Sequence, residues 1–330
     1  MEEKKVSKDK KNEIKEYKIE GTIILGIDHG YGNIKTARKV FPTSVTTCDK
    51  EPAFAKDCIT YNGKYYIIGE GHKSFVSEKQ QDEDNYILTL VAIAKELYAR
   101  GLSKAKIHLA VGLPLKWVQS QREEFKKYLM RESNISYVYK GTNYEVEIVG
   151  CTVMPQCYAA VAKNLKDFKG MNMLADIGNG TINIMMLNNG LAMESKAWTE
   201  KLGAFQCFMS VKAEVSDNTG MSLPDEVIEN FLRTGNPGVS DKYAGHMING
   251  AKKYIDSVYK CLNDHGYDPD IMKLTFMGGG AKVIEKLNSV DSERVSFITD
   301  IRATARGYEY FCYMKLKKTA DSTKRANKGN

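Results

Sequence analysis

Asp28 closes a short β-rich apolar run at residues 22–27 and opens onto His29-Gly30-Tyr31-Gly32-Asn33-Ile34-Lys35. Glycines at 30 and 32 let backbone N–H groups approach an anion, and Lys35 adds a positive charge nearby, the ingredients of a phosphate cradle. The segment is not a Walker A loop, which needs G-x-x-x-x-G-K-[ST], and it lacks the third glycine of a dinucleotide fingerprint. Read alone, it also makes a plain β-hairpin turn. A second run, residues 173–177, carries a carboxylate at Asp176 and opens onto Gly178-Asn179-Gly180-Thr181. Two such turns facing each other across a cleft would hold a polyphosphate from both sides, with Asp28 and Asp176 holding Mg²⁺ or its waters. The pair is far more specific than either member. A third run, Phe276-Met277-Gly278-Gly279-Gly280-Ala281, leads through three glycines to Lys282, and leaves backbone bare enough to face a base or ribose.

These turns need elements to carry them. The stretches at 22–27, 58–60, 64–68 and 105–111 read as strands, with Asn62-Gly63 as a hairpin turn. Residues 85–99 and 117–130 read as helices, 135–139 and 144–153 as a strand pair, and 156–165 as a helix behind Pro155. The alternation predicts a mostly parallel α/β layer in this half. The strand-Asp-glycine unit then restarts at 173, a weak internal repeat. Strand 182–187, helices near 203–214, 224–233 and 243–264, a last strand at 274–277, a helix at 282–287 and an amphipathic helix at 303–316 follow.

Composition bounds the class. A chain of 330 residues, 42% hydrophobic and 27% charged, suffices for two ordinary domains. No stretch approaches the roughly 18 apolar residues of a membrane span, and the leader lacks the apolar core of a signal peptide, so a cytoplasmic location is expected. The seven cysteines show no C-x-x-C pair and read as free thiols; the five histidines are scattered, and any metal should arrive with a ligand. The net charge of +7 is concentrated in lysine runs at the two ends, which usually stay solvated, so no direct nucleic-acid binding and no membrane contact are expected.

The order strand-D-x-G-x-G-x-x-K, then Pro155-Gln156, then D-x-G-x-G-T, then G-G-G-A resembles the actin/Hsp70/sugar-kinase superfamily over residues 22–312. Within it the chain looks most similar to the ParM/StbA-like plasmid-segregation actins. The resemblance implies an α/β, two-lobed actin-like fold of duplicated ribonuclease-H-like domains, with nucleotide in the interdomain cleft. The expected division is a charged leader at 1–20, domain I at 21–170 plus 301–316, domain II at 171–300 and a basic tail at 317–330.

By the same resemblance Gly30, Tyr31, Gly32, Asn33 and Lys35 form the first phosphate loop, and Gly178, Asn179, Gly180 and Thr181 the second. Gly278, Gly279, Gly280 and Lys282 belong to the adenosine loop, and Lys201, Gly203, Glu226 and Glu229 lie where relatives contact ribose and base. Asp28 and Asp176 hold the metal, and Gln156 orients the attacking water, since Gln is no base at neutral pH. The chain departs from the pattern at Asn179, Asn183 and Thr304, where relatives carry an acid, an Asp and an Asn. The implied function is ATP or GTP hydrolysis with Mg²⁺, coupled to self-assembly into dynamic filaments that segregate plasmid DNA through a DNA-bound adaptor. Alternatives within the superfamily are a small-molecule kinase and a membrane-associated cytoskeletal protein.

Overall fold

The computed structural model describes residues 15–53, 57–69, 83–287 and 293–326; most of the charged leader and the last four residues lie outside them. Two sheets organise the chain. The first contains β1 (Lys18–Ile19), β2 (Thr22–His29), β3 (Asn33–Thr36), β4 (Val40–Pro42), β5 (Val45–Cys48), β6 (Cys58–Tyr61), β7 (Lys64–Ile68), β8 (Lys104–Leu113), β9 (Asn134–Tyr139) and β10 (Thr142–Pro155). Its helices are α1 (Glu83–Tyr98) and α2 (Leu115–Leu129). The second contains β11 (Met171–Ile177), β12 (Ile182–Asn188), β13 (Leu191–Glu200), β14 (Lys273–Met277) and β15 (Val295–Ile298). With it go α3 (Ala204–Thr219), α4 (Asp225–Thr234), α5 (Asp241–Asp264) and α6 (Ala281–Leu287). The last helix, α7 (Ala303–Ala326), returns to the first lobe. Among the described residues no helix is long and apolar enough to cross a membrane.

The internal repeat is fully developed in three dimensions. In the first sheet the order β4-β3-β2-β8-β10 has two antiparallel pairings followed by two parallel ones. In the second, β13-β12-β11-β14-β15 repeats the same order and the same directions. This is the duplicated α/β plan of the actin-like fold. The first lobe is less parallel than its helix-strand alternation predicts, because β9, β6, β7 and β5 extend the sheet antiparallel. Short hairpin turns fix β9 against β10 and β6 against β7 as antiparallel pairs, and β6 on β9 and β5 on β7 join them in the same sense. Strands β13 and β15, and the short β1, β3, β4 and β5, are additions to the sequence reading.

Both central strands are buried on both faces, which is why they read as unbroken apolar runs. One face of β2 and β8, with Leu25, Ile27, Leu109 and Val111, packs on α1 and α2; the other, with Ile24 and Ala110, packs on Tyr308 and Cys312 of α7. In the second lobe Ala175, Ile177 and Phe276 face α3 to α6. Leu174, Met185, Leu187 and Met277 turn the other way, onto Cys157 and Val161 of the first lobe's connection, and join the two lobes.

Helix α7 is seated at backbone distance. A Cβ on Gly26 of β2 would collide with the carbonyl of Ala305, and one on Gly112 of β8 with the Tyr308 hydroxyl. At this contact Glu309, 1% exposed, accepts a hydrogen bond from the Gly26 N–H at 3.2 Å. Burial pushes its carboxyl up to about 7, with the Gly26 N–H pulling down and the charge of Glu96 adding to the push. The folded protein therefore binds a proton that the unfolded chain releases near pH 4.5, and stability falls as pH rises through that window towards 7. Glu309→Gln keeps an acceptor for Gly26, so thermal unfolding should show a raised Tm at pH 8 and an unchanged one near pH 4. A similar gain at both pH values would mean that the carboxyl is ionised throughout.

Candidate functional site

Asp28 lies at the end of β2 and its register partner on β3 is Lys35. The two make an ion pair at 2.9 Å, with both side chains largely out of solvent. In the second sheet Asp176 of β11 holds the equivalent place, and its register partner on β12 is Asn183. One lysine thus serves two carboxylates. Burial works against the Lys35 ammonium, yet Asp28 first and Asp176 behind it hold its pKa above the ordinary value. Burial also pushes Asp176 up to about 6; the charge of Asp28 adds to this, and Lys35 opposes it.

The turns after these carboxylates face each other. A Cβ on Gly32 would stand 3.2 Å from the Asn179 side chain, so the first loop is within contact distance of the second across the cleft. Each loop is braced from behind. The Thr43 hydroxyl donates to the Tyr31 carbonyl at 2.6 Å, and the N–H groups of Ala204 and Phe205, at the start of α3, donate to the carbonyls of Gly178 and Asn179. The third glycine run follows β14, which lies parallel to β11 with Met277 beside Asp176. Gly278 has φ +84°, a region that L side chains rarely adopt, and a Cβ there would strike the Asp176 carboxylate. Gly279 has open space before it.

Gln156 enters the cleft from the first lobe and its side-chain amide donates to Asp28 Oδ1 at 3.2 Å. The helix expected over 156–165 is absent: β10 runs to Pro155, and two 3-10 turns, Tyr158–Val161 and Leu165–Asp167, follow. Between strand and turn, Cys157 has φ +69° and ψ −66°, and the Tyr158 N–H closes onto the Gln156 carbonyl at 2.8 Å. That is a γ-turn of the strained hand. The Cys157 N–H also bonds Asp176, and its buried thiol lies 3.7 Å from the Asn183 carbonyl. One residue therefore aims Gln156 at Asp28 and ties the same corner to Asp176 in the other lobe.

The cleft brings together Asp28, Gly30, Tyr31, Gly32, Asn33, Lys35, Gln156, Asp176, Gly178, Asn179, Thr181 and the glycines 278–280. Gly203 is packed behind the second loop, where a Cβ would collide with the Asn179 carbonyl. Gly180 is not among the lining residues, and Lys201, Glu226, Glu229 and Lys282 are exposed and outside the lining. The lining also includes Asn183, Asp300 and Thr304, which the motif reading did not count as site residues. Part of their signal was present: Asn183 and Thr304 are two of the three departures from the family pattern, and Asp300 lies just before the amphipathic helix read at 303–316. Asp300 is committed to Arg302 and Arg306, which hold its carboxyl below the ordinary range against burial.

The donor set suits a hard cation that brings its own ligands. Among the described residues no group of three or more His, Cys, Asp and Glu gathers to hold a metal, whereas two carboxylates and an amide oxygen can complete the shell of a phosphate-bound Mg²⁺.

Residues 26–158 match the family model described as actin like proteins N terminal domain. No curated protein matches the sequence. Among solved structures, an archaeal actin homolog aligns with a TM-score of 0.69 at 16% identity, over 89% of this chain and 99% of its own. A subunit of a 15-stranded ParM filament from Clostridium botulinum aligns with a TM-score of 0.69 at 18% identity, over 88% and 99%. ParM of Bacillus thuringiensis with AMPPNP aligns with a TM-score of 0.63 at 14% identity, over 90% and 99%. The archaeal homolog has also been solved in complex with ADP. The likeness carried by the order of motifs thus extends to the whole fold: the chain has the two-lobed actin-like architecture, with ParM among its structural relatives.

Proposed function

We propose, from the premise of an actin-like fold whose first lobe matches the actin-like N-terminal family, that this chain is a filament-forming nucleotide hydrolase. Its substrate in this reading is ATP or GTP with Mg²⁺, and its filaments move plasmid DNA in the cytoplasm through a DNA-bound adaptor. The observation that carries the reading is the pairing of two glycine loops, each behind a strand-end carboxylate, on one cleft with Gln156 between them. Filament formation draws support from the ParM filament subunits that share the fold.

Phosphoryl transfer to water demands mainly positioning and charge neutralisation. The N–H groups of the two loops and Lys35 would bind the phosphates, and Asp28 and Asp176 would hold Mg²⁺, which supplies further neutralisation when bound. Gln156 would orient water: its amide N–H is engaged by Asp28, and its carbonyl oxygen can accept from a water proton. Asp28 belongs to one lobe and Asp176 to the other, so occupancy of the cleft biases the angle between lobes and hence the fit of head-to-tail contacts.

The test is light scattering and pelleting of the purified chain with and without Mg²⁺-ATP and Mg²⁺-GTP, with phosphate release followed in the same sample. Assembly that rises with one nucleotide and decays as phosphate appears is the expected result. Hydrolysis without assembly at any concentration would overturn the filament, and absence of nucleotide binding would overturn the whole reading.

A further inference from the structure

The fold brings Lys15, near the end of the charged leader, beside the basic C-terminal helix. Strand β1 pairs with β2, and the Ile24 N–H donates to the Tyr17 carbonyl at 3.0 Å, so the chain leaves the sheet beside α7. The Tyr17 ring, 4% exposed, lies 5.1 Å from Tyr313 and 6.3 Å from Tyr310 of that helix. Cations cover these rings: Lys15 and Lys163 over Tyr17, Lys163 also over Tyr310, and Lys317 over Tyr313. On the helix's other flank, Arg122 and Lys126 of α2 and Lys315 of α7 line a groove against residues 151–155 of β10. Lys324, Arg325 and Lys328 follow in the sequence.

This charge is not neutralised locally. Several exposed lysines elsewhere do pair with acids, as Lys104 with Glu145, Lys106 with Glu147, Lys212 with Asp225 and Lys253 with Glu214; what sets this surface apart is that its cations are grouped. Among the described residues no carboxylate pairs with Lys15, Arg122, Lys126, Lys163, Lys315, Lys317 or Lys318. The acids nearby are few: Glu123 in the groove, Asp321 on α7, Glu16 engaged by Lys18 and Arg100, and Glu309 buried. The crowding is felt by neighbours. Burial first, then the charges of Lys126 and Lys315, push His108 down to about 4. Lys163 is lowered by burial and by Arg306 and Lys15, against the attraction of Glu309.

We propose that the C-terminal half of α7, with Lys15 and Lys163 on one flank and Arg122 and Lys126 on the other, is a sequence-independent binding surface for nucleic-acid phosphates. The like charges repel one another in the free protein, and a polyanion both relieves that repulsion and releases its own counterions. Nucleic acid fits better than an anionic bilayer because residues 317–328 read KKTADSTKRANK, five cations with no apolar side chain larger than alanine's to insert among acyl chains. This goes beyond the proposed function, in which DNA is reached only through an adaptor, and gives each subunit a contact of its own.

The experiment is fluorescence anisotropy of the full chain with a labelled duplex DNA of about 30 base pairs and mixed sequence, from 50 to 200 mM salt. Six to ten phosphate contacts would lower the affinity by roughly 10³–10⁵-fold across that range. The triple variant Lys315→Gln, Lys317→Gln, Lys318→Gln should bind more weakly and flatten the slope of log K against log salt by about 2.7. Arg122→Gln with Lys126→Gln should flatten it by about 1.8. All five positions lie outside the cleft, so circular dichroism and nucleotide-dependent pelleting should match the parent and separate this surface from the filament reading. No DNA binding by the parent, binding indifferent to both variants, or a salt-resistant complex would overturn the proposal. So would flotation with phosphatidylserine vesicles that outcompetes the DNA.

Discussion

Asp176→Asn is expected to lower nucleotide hydrolysis by on the order of 10²–10³-fold, to remove the Mg²⁺ dependence of nucleotide binding, and yet to leave a protein at least as stable as the parent. The two halves of this expectation have one cause. Asp176 is pushed up to about 6 by burial and by the charge of Asp28, and Lys35, the cation that opposes this, is already paired with Asp28. A cleft lined by two carboxylates that repel each other is stabilised by a divalent cation and strained without one. Asparagine keeps the shape and discards the charge, so the ligand-free variant should unfold at a higher temperature at pH 8, and the difference should shrink as pH falls through about 6, where the parent's Asp176 protonates. Thermal unfolding and isothermal titration with Mg²⁺-ATP and Mg²⁺-GTP check both halves. A folded variant that hydrolyses at the parental rate would remove Asp176 from the site, and a variant less stable than the parent at pH 8 would refute the repulsion.

The second large effect concerns the corner at Gln156 and Cys157. Gln156→Ala should slow phosphate release about a hundredfold while nucleotide affinity stays within a few-fold, because only the orientation of water is lost. Cys157→Gly should do nearly the same without touching any reacting group. A non-glycine residue at φ +69° and ψ −66° costs roughly 1–3 kcal/mol, and glycine at that position is free to leave the turn, taking Gln156 out of line with Asp28. Cys157→Ala keeps the conformational restriction and should keep most of the rate, which distinguishes positioning from thiol chemistry. The measurement is single-turnover phosphate release beside nucleotide affinity for all three variants. If Cys157→Gly turns over like the parent, Gln156 is aimed by something other than this turn.

How much of this could be read from residues alone depends on where backbone conformation was decided locally. The two carboxylate-glycine turns were legible because strand periodicity, Asp and glycine all sit within ten residues of one another, and the duplicated sheet order follows from them. The helix at 156–165 misread because its conformation is set from outside. Cys157 is held by Asn183 and Asp176 of the other lobe, and Gly307 of α7 comes so close to the Ala159 carbonyl that a Cβ would collide with it. Strand β13 escaped because it is an edge strand of weak alternation with no fully buried residue, and β15 because four residues, Val295–Ile298, carry no period. Gly203 came from the family resemblance alone, as a position where relatives contact ribose and base; its close approach to the Asn179 carbonyl depends on the other loop and carries no signal in its own neighbourhood. Residues such as Glu226 and Glu229 could not be placed by spacing, since α4 turns both to solvent and keeps only Ile228 and Phe231 buried.

The seating of α7 on β2 sets the order in which the protein can mature during synthesis. The Gly26 N–H waits 283 residues for the Glu309 carboxylate, and the bare backbone of Gly26 and Gly112 stays uncovered until Ala305 and Tyr308 have been made. The whole second sheet emerges in between, as an unbroken segment with its own helices and core. The middle of the chain is therefore expected to fold before the beginning, leaving one face of the first sheet open as a nascent intermediate. A released chain truncated after residue 300 should show a protease-resistant second lobe and a cleavable first one. Extending it through α7 should close the gap in a single step.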